Sequence, residues 1–567
     1  TVGDLTGNRA RATKALHQAR QLGADLVVFP ELYITGYPPE DLLLKPQFVT
    51  AAGEAVSSLL PETKGLIAII GFPHFDRDVY NAAAVMADGK LLGIYNKHYL
   101  PNYGVFDENR YFAQGKESLV FELDGLRFGV SICEDLWYQG GVPHEQALLG
   151  DCQLLVNLSS SPYYKGKGLV RERMLATRAA DDVCALAYCN LVGGQDELVF
   201  DGHSLVLDHL GNPLLRAPQF EEGVFAVDVD IATITHARLR DPRRRQDRKA
   251  LQQTNTLPIR YLAVPSYELT EEYPPLPEPV VPKLAELPEV AAALRLGIRD
   301  YVDKTGFQRI GLGLSGGIDS ALVAVLAAQA LGKERVVAFS MPSQYSSDHS
   351  KSDAAKLAKN LAIEYHTIAL APLFEAFQQQ LEPLFRGLPE DLTEQNLQAR
   401  LRANLLMAWS NKFGGLILVT GNKSETSVGY STLYGDMAGG FAPIKDVPKT
   451  LVYALAEHLN TEAGYDLIPR SIIEKAPSAE LKPDQFDQDD LPPYDLLDEL
   501  IELYVEQDLD ARTLVEKGYD EALVRKVTRM IERSQYKRRQ APTVVKITPR
   551  AFGKDRRMPI TSKYHEL

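Results

Sequence analysis

Short apolar runs alternate with polar and glycine-containing turns through residues 1–263, at 24–29, 66–71, 119–123, 128–132, 154–158 and 185–190. Over 8–22 and 169–182 the apolar positions recur instead at helical spacing. The pattern predicts a layered α/β domain. Residues 1–5 read as a loop entering a helix, without the strand that would open such a domain. Between Val264 and Val290 stand seven prolines, Pro274, Pro275, Pro277 and Pro279 among them. Proline at that density excludes helix and central strand, so 264–287 is predicted to be a linker lying on the surface. A helix is predicted over 288–304, with Pro288 tolerable in its first turn. Strand and helix then alternate at 310–314, 320–331, 335–340, 349–361 and 365–370, the signature of a doubly wound parallel sheet over 288–567. Ligands of such sheets collect at the carboxyl ends of the strands.

Those strand ends carry chemistry. Ser315-Gly-Gly-Ile-Asp-Ser320 lies between the apolar run Ile310, Leu312, Leu314 and the helical run Ala321, Leu322, Val325, Leu326. A turn of small residues at the mouth of a helix offers unpaired N–H groups and the positive end of the helix dipole to an anion such as pyrophosphate. The Gly-Lys-Ser/Thr ending of a Walker A loop is missing, and with it the lysine that grips transferable phosphates. Asp319 supplies a hard oxygen suited to Mg²⁺ instead. An apolar strand running into Val419-Thr-Gly-Asn-Lys-Ser-Glu425 adds Glu425 as a second carboxylate for that ion. Residues 428–440, rich in glycine and hydroxyl groups, read as a loop lining a substrate. Lys445 and Lys449 are placed to offset negative charge on a leaving group.

In the first half Cys133 follows the run 128–132 and precedes Glu134 and Asp135. A thiol at a strand end that opens into a helix is expected to be exposed, with its thiolate favoured by the helix N-terminus. Glu31 closes Val27-Val28-Phe29-Pro30 and suits a general base. Lys97 follows 91–95, and its ammonium suits the oxyanion of a tetrahedral intermediate. Cys152, Cys184 and Cys189 lie in apolar surroundings and read as packing residues.

Composition narrows the field. A net charge of −14 over 567 residues argues against a nucleic-acid coat, which draws on Lys and Arg to neutralise phosphate, and favours small substrates. The basic stretch Arg238–Lys249 reads as a solvated helix face or a contact between domains or subunits. No run of about 18 apolar residues points to a membrane span, and no leader is evident. Four cysteines without a Cys-x-x-Cys pair suggest neither a disulfide framework nor zinc, and place the protein in a reducing cytoplasm.

The segments Phe29-Pro-Glu-Leu32, Asn96-Lys-His-Tyr-Leu-Pro-Asn-Tyr103 and Ser131-Ile-Cys-Glu-Asp-Leu-Trp137 resemble the Glu-Lys-Cys triad of the nitrilase superfamily. In detail they are similar to the glutaminase domain of glutamine-dependent NAD⁺ synthetases. Ser315–Ser320 resembles the pyrophosphate loop of the ATP pyrophosphatases. Glu394-Gln-Asn-Leu-Gln-Ala-Arg400, Gly421-Asn-Lys-Ser-Glu425, Tyr434-Gly-Asp-Met-Ala-Gly-Gly440 and Tyr536-Lys-Arg-Arg539 are similar to the synthetase domain of the same family.

That resemblance implies an α/β protein with a nitrilase-like α-β-β-α sandwich over 1–263 and an adenine nucleotide alpha hydrolase-like, doubly wound sheet over 288–567. It implies a glutamyl thioester at Cys133, with Glu31 as base and Lys97 at the oxyanion, and glutamine contacts from Tyr103, Ser161 and Lys167. ATP, a co-substrate, is expected on Gly313, Leu314, Ser315, Gly316, Gly317, Ile318, Asp319, Ser320 and Thr420. Deamido-NAD⁺ is expected on Asn396, Arg400, Glu425 and Lys537, and Mg²⁺ on Asp319 and Glu425. The resemblance further implies a mobile cover at 476–485, an internal passage for ammonia, and a homo-oligomer. The rival within this class is an adenylylating amidotransferase acting on a different carboxylate, against which Asn396, Arg400 and the 434–440 loop speak. Outside it stand a nucleotide-binding regulator and a plain amidase.

Overall fold

The computed structural model describes residues 1–254, 256–265, 276, 280–482, 485–564 and 566. Most of the predicted linker, including Pro274, Pro275, Pro277 and Pro279, lies outside the described residues, as do Pro483 and Asp484 of the predicted cover. Internal contacts divide the chain into one unit of Thr1–Gln195 with Phe200–Leu284 and another of Asp196–Val199 with Ala285–Leu567.

The first unit is built on two sheets. Leu26–Val28, Ile67–Asp76, Asp78–Ala87 and Lys90–Asn96 form one, in that order. The other has seven strands, with Leu126–Ile132, Leu154–Ser159 and Ala185–Asn190 parallel neighbours near its centre. Strand periodicity sends alternate side chains to opposite faces, and here both faces are buried. Ile67, Ile69, Ala83 and Val85 pack inward against Phe121, Phe128, Val130 and Val156 of the second sheet. Ala68, Ile70, Ala82 and Ala84 pack outward against the helices Leu5–Gln21 and Pro46–Ser57. The outer face of the second sheet is covered by Val142–Leu148 and Lys167–Asp182. Four layers result, helix, sheet, sheet, helix, as the resemblance implies. Within the basic stretch Arg238 and Arg244 are tied into the fold, Arg238 Nε donating to the Val183 carbonyl at 2.8 Å and Arg244 Nη2 to that of Ala147 at 2.6 Å, while Arg243, Arg245, Arg248 and Lys249 form an exposed helix face.

In the second unit six parallel strands are ordered Glu364–Thr367, Val336–Ser340, Ile310–Gly313, Leu416–Leu418, Phe441–Ala442, Thr543–Val544. Numbered along the chain this is 3-2-1-4-5-6, so the order reverses between Ile310–Gly313 and Leu416–Leu418. A crevice opens at such a switch point, outside the carboxyl ends of the two strands. The loop 314–317 leaves the first of them and Thr420 follows the second. The helix after the loop begins at Ile318, earlier than predicted, so Asp319 and Ser320 stand in its first turn.

Candidate active sites

Glu31, Lys97 and Cys133 each stand just beyond a strand of the first unit, and the fold brings all three together. Glu31 is 1 % exposed and Lys97 is fully buried. Lys97 Nζ donates to Glu31 Oε1 at 2.7 Å and to both oxygens of Glu108, at 2.9 and 2.8 Å. Asn81 Nδ2 holds Glu31 Oε1 at 2.7 Å and the Ser160 N–H holds its Oε2 at 2.9 Å. Gly71 makes room for this turn, since a Cβ there would stand 2.4 Å from the Leu32 nitrogen. Burial disfavours the Lys97 ammonium, but Glu108 and Glu31 outweigh it and raise its pKa well above the ordinary value. Two buried carboxylates then share one ammonium, and burial pushes Glu108 up to about 7 despite Lys97.

Cys133 departs from expectation. It is 4 % exposed, with φ of +40°, and opens only the single 3₁₀ turn Cys133–Leu136; the next α-helix starts at Val142. Burial and then Glu31 raise its pKa, Lys97 opposing them. One short turn cannot offset the desolvation of a thiolate, so the resting group is a thiol and needs a base. Asp135 fixes the turn: it accepts from Ile132 N at 2.9 Å, Tyr95 Oη at 2.7 Å, His98 N at 3.1 Å and Tyr99 N at 2.8 Å. One carboxylate thus ties the thiol's backbone to the segment that follows Lys97.

Of the glutamine candidates, Tyr103 is exposed, its hydroxyl donating to Glu134 at 3.0 Å. Ser161 is buried next to Ser160, and Lys167 Nζ donates to the Pro162 carbonyl at 2.7 Å. Asn81 and Glu108 escaped sequence reasoning, as did the role of Asp135.

In the second unit Gly316 has φ of +83°, and a Cβ on it would stand 2.4 Å from the Ser350 carbonyl oxygen. Glycine is required there twice over. Ser315 Oγ and Ser320 Oγ lie 3.2 Å apart and close the loop on itself. Asp319 accepts from Lys449 Nζ at 2.5 Å and Asn422 Nδ2 at 3.0 Å, and Lys449 reaches Glu425 at 3.1 Å. Tyr494 Oη donates to Asp487 at 2.8 Å and lies 3.4 Å from Glu425. Three carboxylates thus gather around one ammonium, and burial, with Asp319 and Asp487 nearby, pushes Glu425 up to about 7 against the pull of Lys449. This excess of hard oxygen donors fits a divalent cation. Among the described residues no three or more His, Cys, Asp or Glu side chains form a preformed metal cage; Asp319 and Glu425 are the carboxylates that could hold a divalent cation here.

Asn396, Arg400 and Lys537 converge on the loop 429–440. Asn396 accepts from Thr432 Oγ1 at 2.7 Å, Arg400 Nε donates to the Leu433 carbonyl at 3.2 Å, and Lys537 Nζ donates to the carbonyls of Gly429 and Ser431, both at 2.7 Å. Lys445 does not join Lys449: its ammonium is taken by the Pro542 carbonyl. The predicted cover is anchored through Glu480, which accepts from Lys475 at 2.6 Å, Ser350 at 2.8 Å and Ser347 at 3.0 Å.

The sandwich with its buried Glu-Lys-Cys cluster, and the switch-point crevice with its glycine-rich loop, are those of a carbon–nitrogen hydrolase joined to a ligase. Family models agree, carbon-nitrogen hydrolase matching residues 1–239 and NAD synthase residues 290–541. A glutamine-dependent NAD(+) synthetase of Thermotoga maritima is 48% identical over 100% of this chain and 97% of its own. That of Aquifex aeolicus is 46% identical over 100% and 98%. The structure of the Acinetobacter baumannii glutamine-dependent NAD+ synthetase, solved with ADP, superposes with a TM-score of 0.74 at 40% identity, covering 100% of this chain and 97% of that one. The chain belongs to the glutamine-dependent NAD(+) synthetase family.

Proposed function

We propose that the chain amidates deamido-NAD⁺ to NAD⁺ at the expense of ATP, with ammonia taken from glutamine, and that the two buried clusters divide the work. The cluster on Lys97 carries this reading, because a buried thiol beside a carboxylate and an ammonium that are bonded to each other suits acyl transfer. Glu31 takes the proton of Cys133 as the sulfur attacks the glutamine amide carbon, and Lys97 stabilises the oxyanion. The C–N bond breaks, ammonia leaves with the proton that Glu31 returns, and water activated by Glu31 hydrolyses the thioester to glutamate. Lys97 bonds Glu31 and Glu108 together and so keeps both in place through the cycle, although its single charge balances only one of them. Tyr103, Ser161 and Lys167 hold the amino-acid end of glutamine.

In the second unit the loop 313–320 and Thr420 hold ATP, while Asn396, Arg400, Glu425 and Lys537 shape the deamido-NAD⁺ site. When bound on Asp319 and Glu425, Mg²⁺ supplies charge neutralisation at the phosphates. The carboxylate of deamido-NAD⁺ attacks the α-phosphorus, pyrophosphate leaves, and ammonia then displaces AMP from the adenylate. Lys449, bridging Asp319 and Glu425, is the protein's own cation at that centre. The four cysteines are free thiols, which suits a cytoplasmic enzyme, and no helix among the described residues is long and apolar enough to cross a membrane. The exposed Leu384, Leu388 and Leu392 support the homo-oligomer that the resemblance implies; sedimentation at a mass above the 62.8 kDa of one chain checks it.

With glutamine supplied, AMP and pyrophosphate should accumulate in step with NAD⁺. ADP and orthophosphate would refute the scheme.

A further inference from the structure

The strap 159–162 borders the thiol and is held from two sides. On one side Ser160 donates to Glu31, through N–H to Oε2 and through Oγ to the carbonyl, both at 2.9 Å. On the other side the Asn190 amide spans Ser161: Oδ1 accepts the Ser161 N–H at 2.8 Å and Nδ2 lies 3.4 Å from its carbonyl. That Nδ2 also donates to the Gly202 carbonyl at 2.9 Å and lies 3.4 Å from Asp201 Oδ1. The other oxygen of Asp201 accepts from Arg171 Nη2 at 2.6 Å, in an ion pair whose side chains are 1 % and 0 % exposed. Arg171 stands one helical turn after Lys167, whose ammonium grips Pro162 of the same strap.

Stability does not account for this arrangement. Burying an ion pair costs desolvation that an apolar pair of the same size avoids. Arg171 Nε and Nη1, moreover, find no acceptor among the described residues, and a buried N–H left unpaired is a further cost. What the relay does provide is a fixed position for Ser161 that is independent of Glu31.

We propose that Arg171 is a positioning residue for glutamine: through Asp201 and Asn190 it sets the Ser161 backbone, and so the edge of the pocket that receives the amino-acid end of the substrate. The inference rests on Ser161 and Lys167 as glutamine contacts. Its larger effect is on recognition, since Glu31, though it touches Ser160 of the same strap, is also held by Lys97 and Asn81, and the Cys133 turn is held by Asp135.

The test uses the full chain with Asn190→Ala, which opens the relay without stranding a charge, beside Arg171→Gln and Arg171→Lys. Glutamine hydrolysis gives KM and kcat, the rate of Cys133 alkylation by iodoacetamide reports the nucleophile alone, and NAD⁺ synthesis from ammonium chloride reports the second unit. For Asn190→Ala the KM for glutamine should rise about tenfold, the scale of one good hydrogen bond, with kcat and the alkylation rate within about twofold. Arg171→Gln should follow, and Arg171→Lys, which keeps a cation on Asp201, should recover most of the loss. An unchanged KM in Asn190→Ala overturns the proposal, whether or not Arg171→Gln folds. So does an equal fall of kcat and alkylation, which would make the relay a general support. Ser161→Ala and Lys167→Met separate the premise: if they raise KM and Asn190→Ala does not, the relay alone fails; if none does, the glutamine contacts fail first.

Discussion

At the scale of single residues the first cluster turns on a count of charges. Glu31 and Glu108 face one ammonium, so one proton is retained until about pH 7 on Glu108, where an unfolded chain releases it near the ordinary value of 4.5. Between those values the folded state binds more protons, and stability contributed there falls as pH rises. Glu108→Gln removes the excess charge. The stability of the natural chain relative to this variant should therefore decline from pH 4.5 to 7, by about 1–3 kcal/mol, as read by denaturant unfolding at each pH. Cys133→Ala is expected to lower glutamine-driven NAD⁺ synthesis by at least about 10³-fold while ammonia-driven synthesis persists; loss of both would mean that the units are misassigned.

The elements explain which of these residues the sequence disclosed. Glu31 and Lys97 were legible because each breaks an apolar run at its carboxyl end, and Ser315–Ser320 because a small-residue turn sits between a strand pattern and a helix pattern. Glu108 opens the single 3₁₀ turn Glu108–Arg110 and Asn81 lies inside the alanine-rich strand Asp78–Ala87. Each earns its place only through partners far along the chain, so no local pattern marks it. Asp135 was in view but looked like one more acid after Cys133, its four bonds being invisible without the fold. The exposure of Cys133 was misjudged because the turn after it is too short to count as a helix. At the pyrophosphate loop, Gly316→Ala introduces a Cβ against Ser350 and a left-handed conformation costing about 1–2 kcal/mol. Nucleotide affinity should fall with either nitrogen source while glutamine hydrolysis without ATP is retained, as equilibrium binding and glutamate release will show.

For the molecule as a whole, the strand order of the second sheet was not readable, since periodicity identifies strands without naming their neighbours. It is the reversal between Ile310–Gly313 and Leu416–Leu418 that sets Asp319 beside Asn422 and Glu425. Asp319→Ala removes the carboxylate that pairs with Lys449 and that is proposed to hold Mg²⁺, so NAD⁺ formation from both glutamine and ammonia should stop; NAD⁺ formed from either nitrogen source, followed by absorbance after enzymatic reduction, would contradict the proposal.

The depth at which Cys133 lies has a chemical corollary. Peroxide oxidises thiolates, and sulfur that is both shielded and protonated reacts slowly on the way to sulfenic acid. Peroxide is therefore expected to inactivate glutamine hydrolysis far more slowly than it oxidises an exposed cysteine, because the interior that raises this thiol's pKa also shelters it.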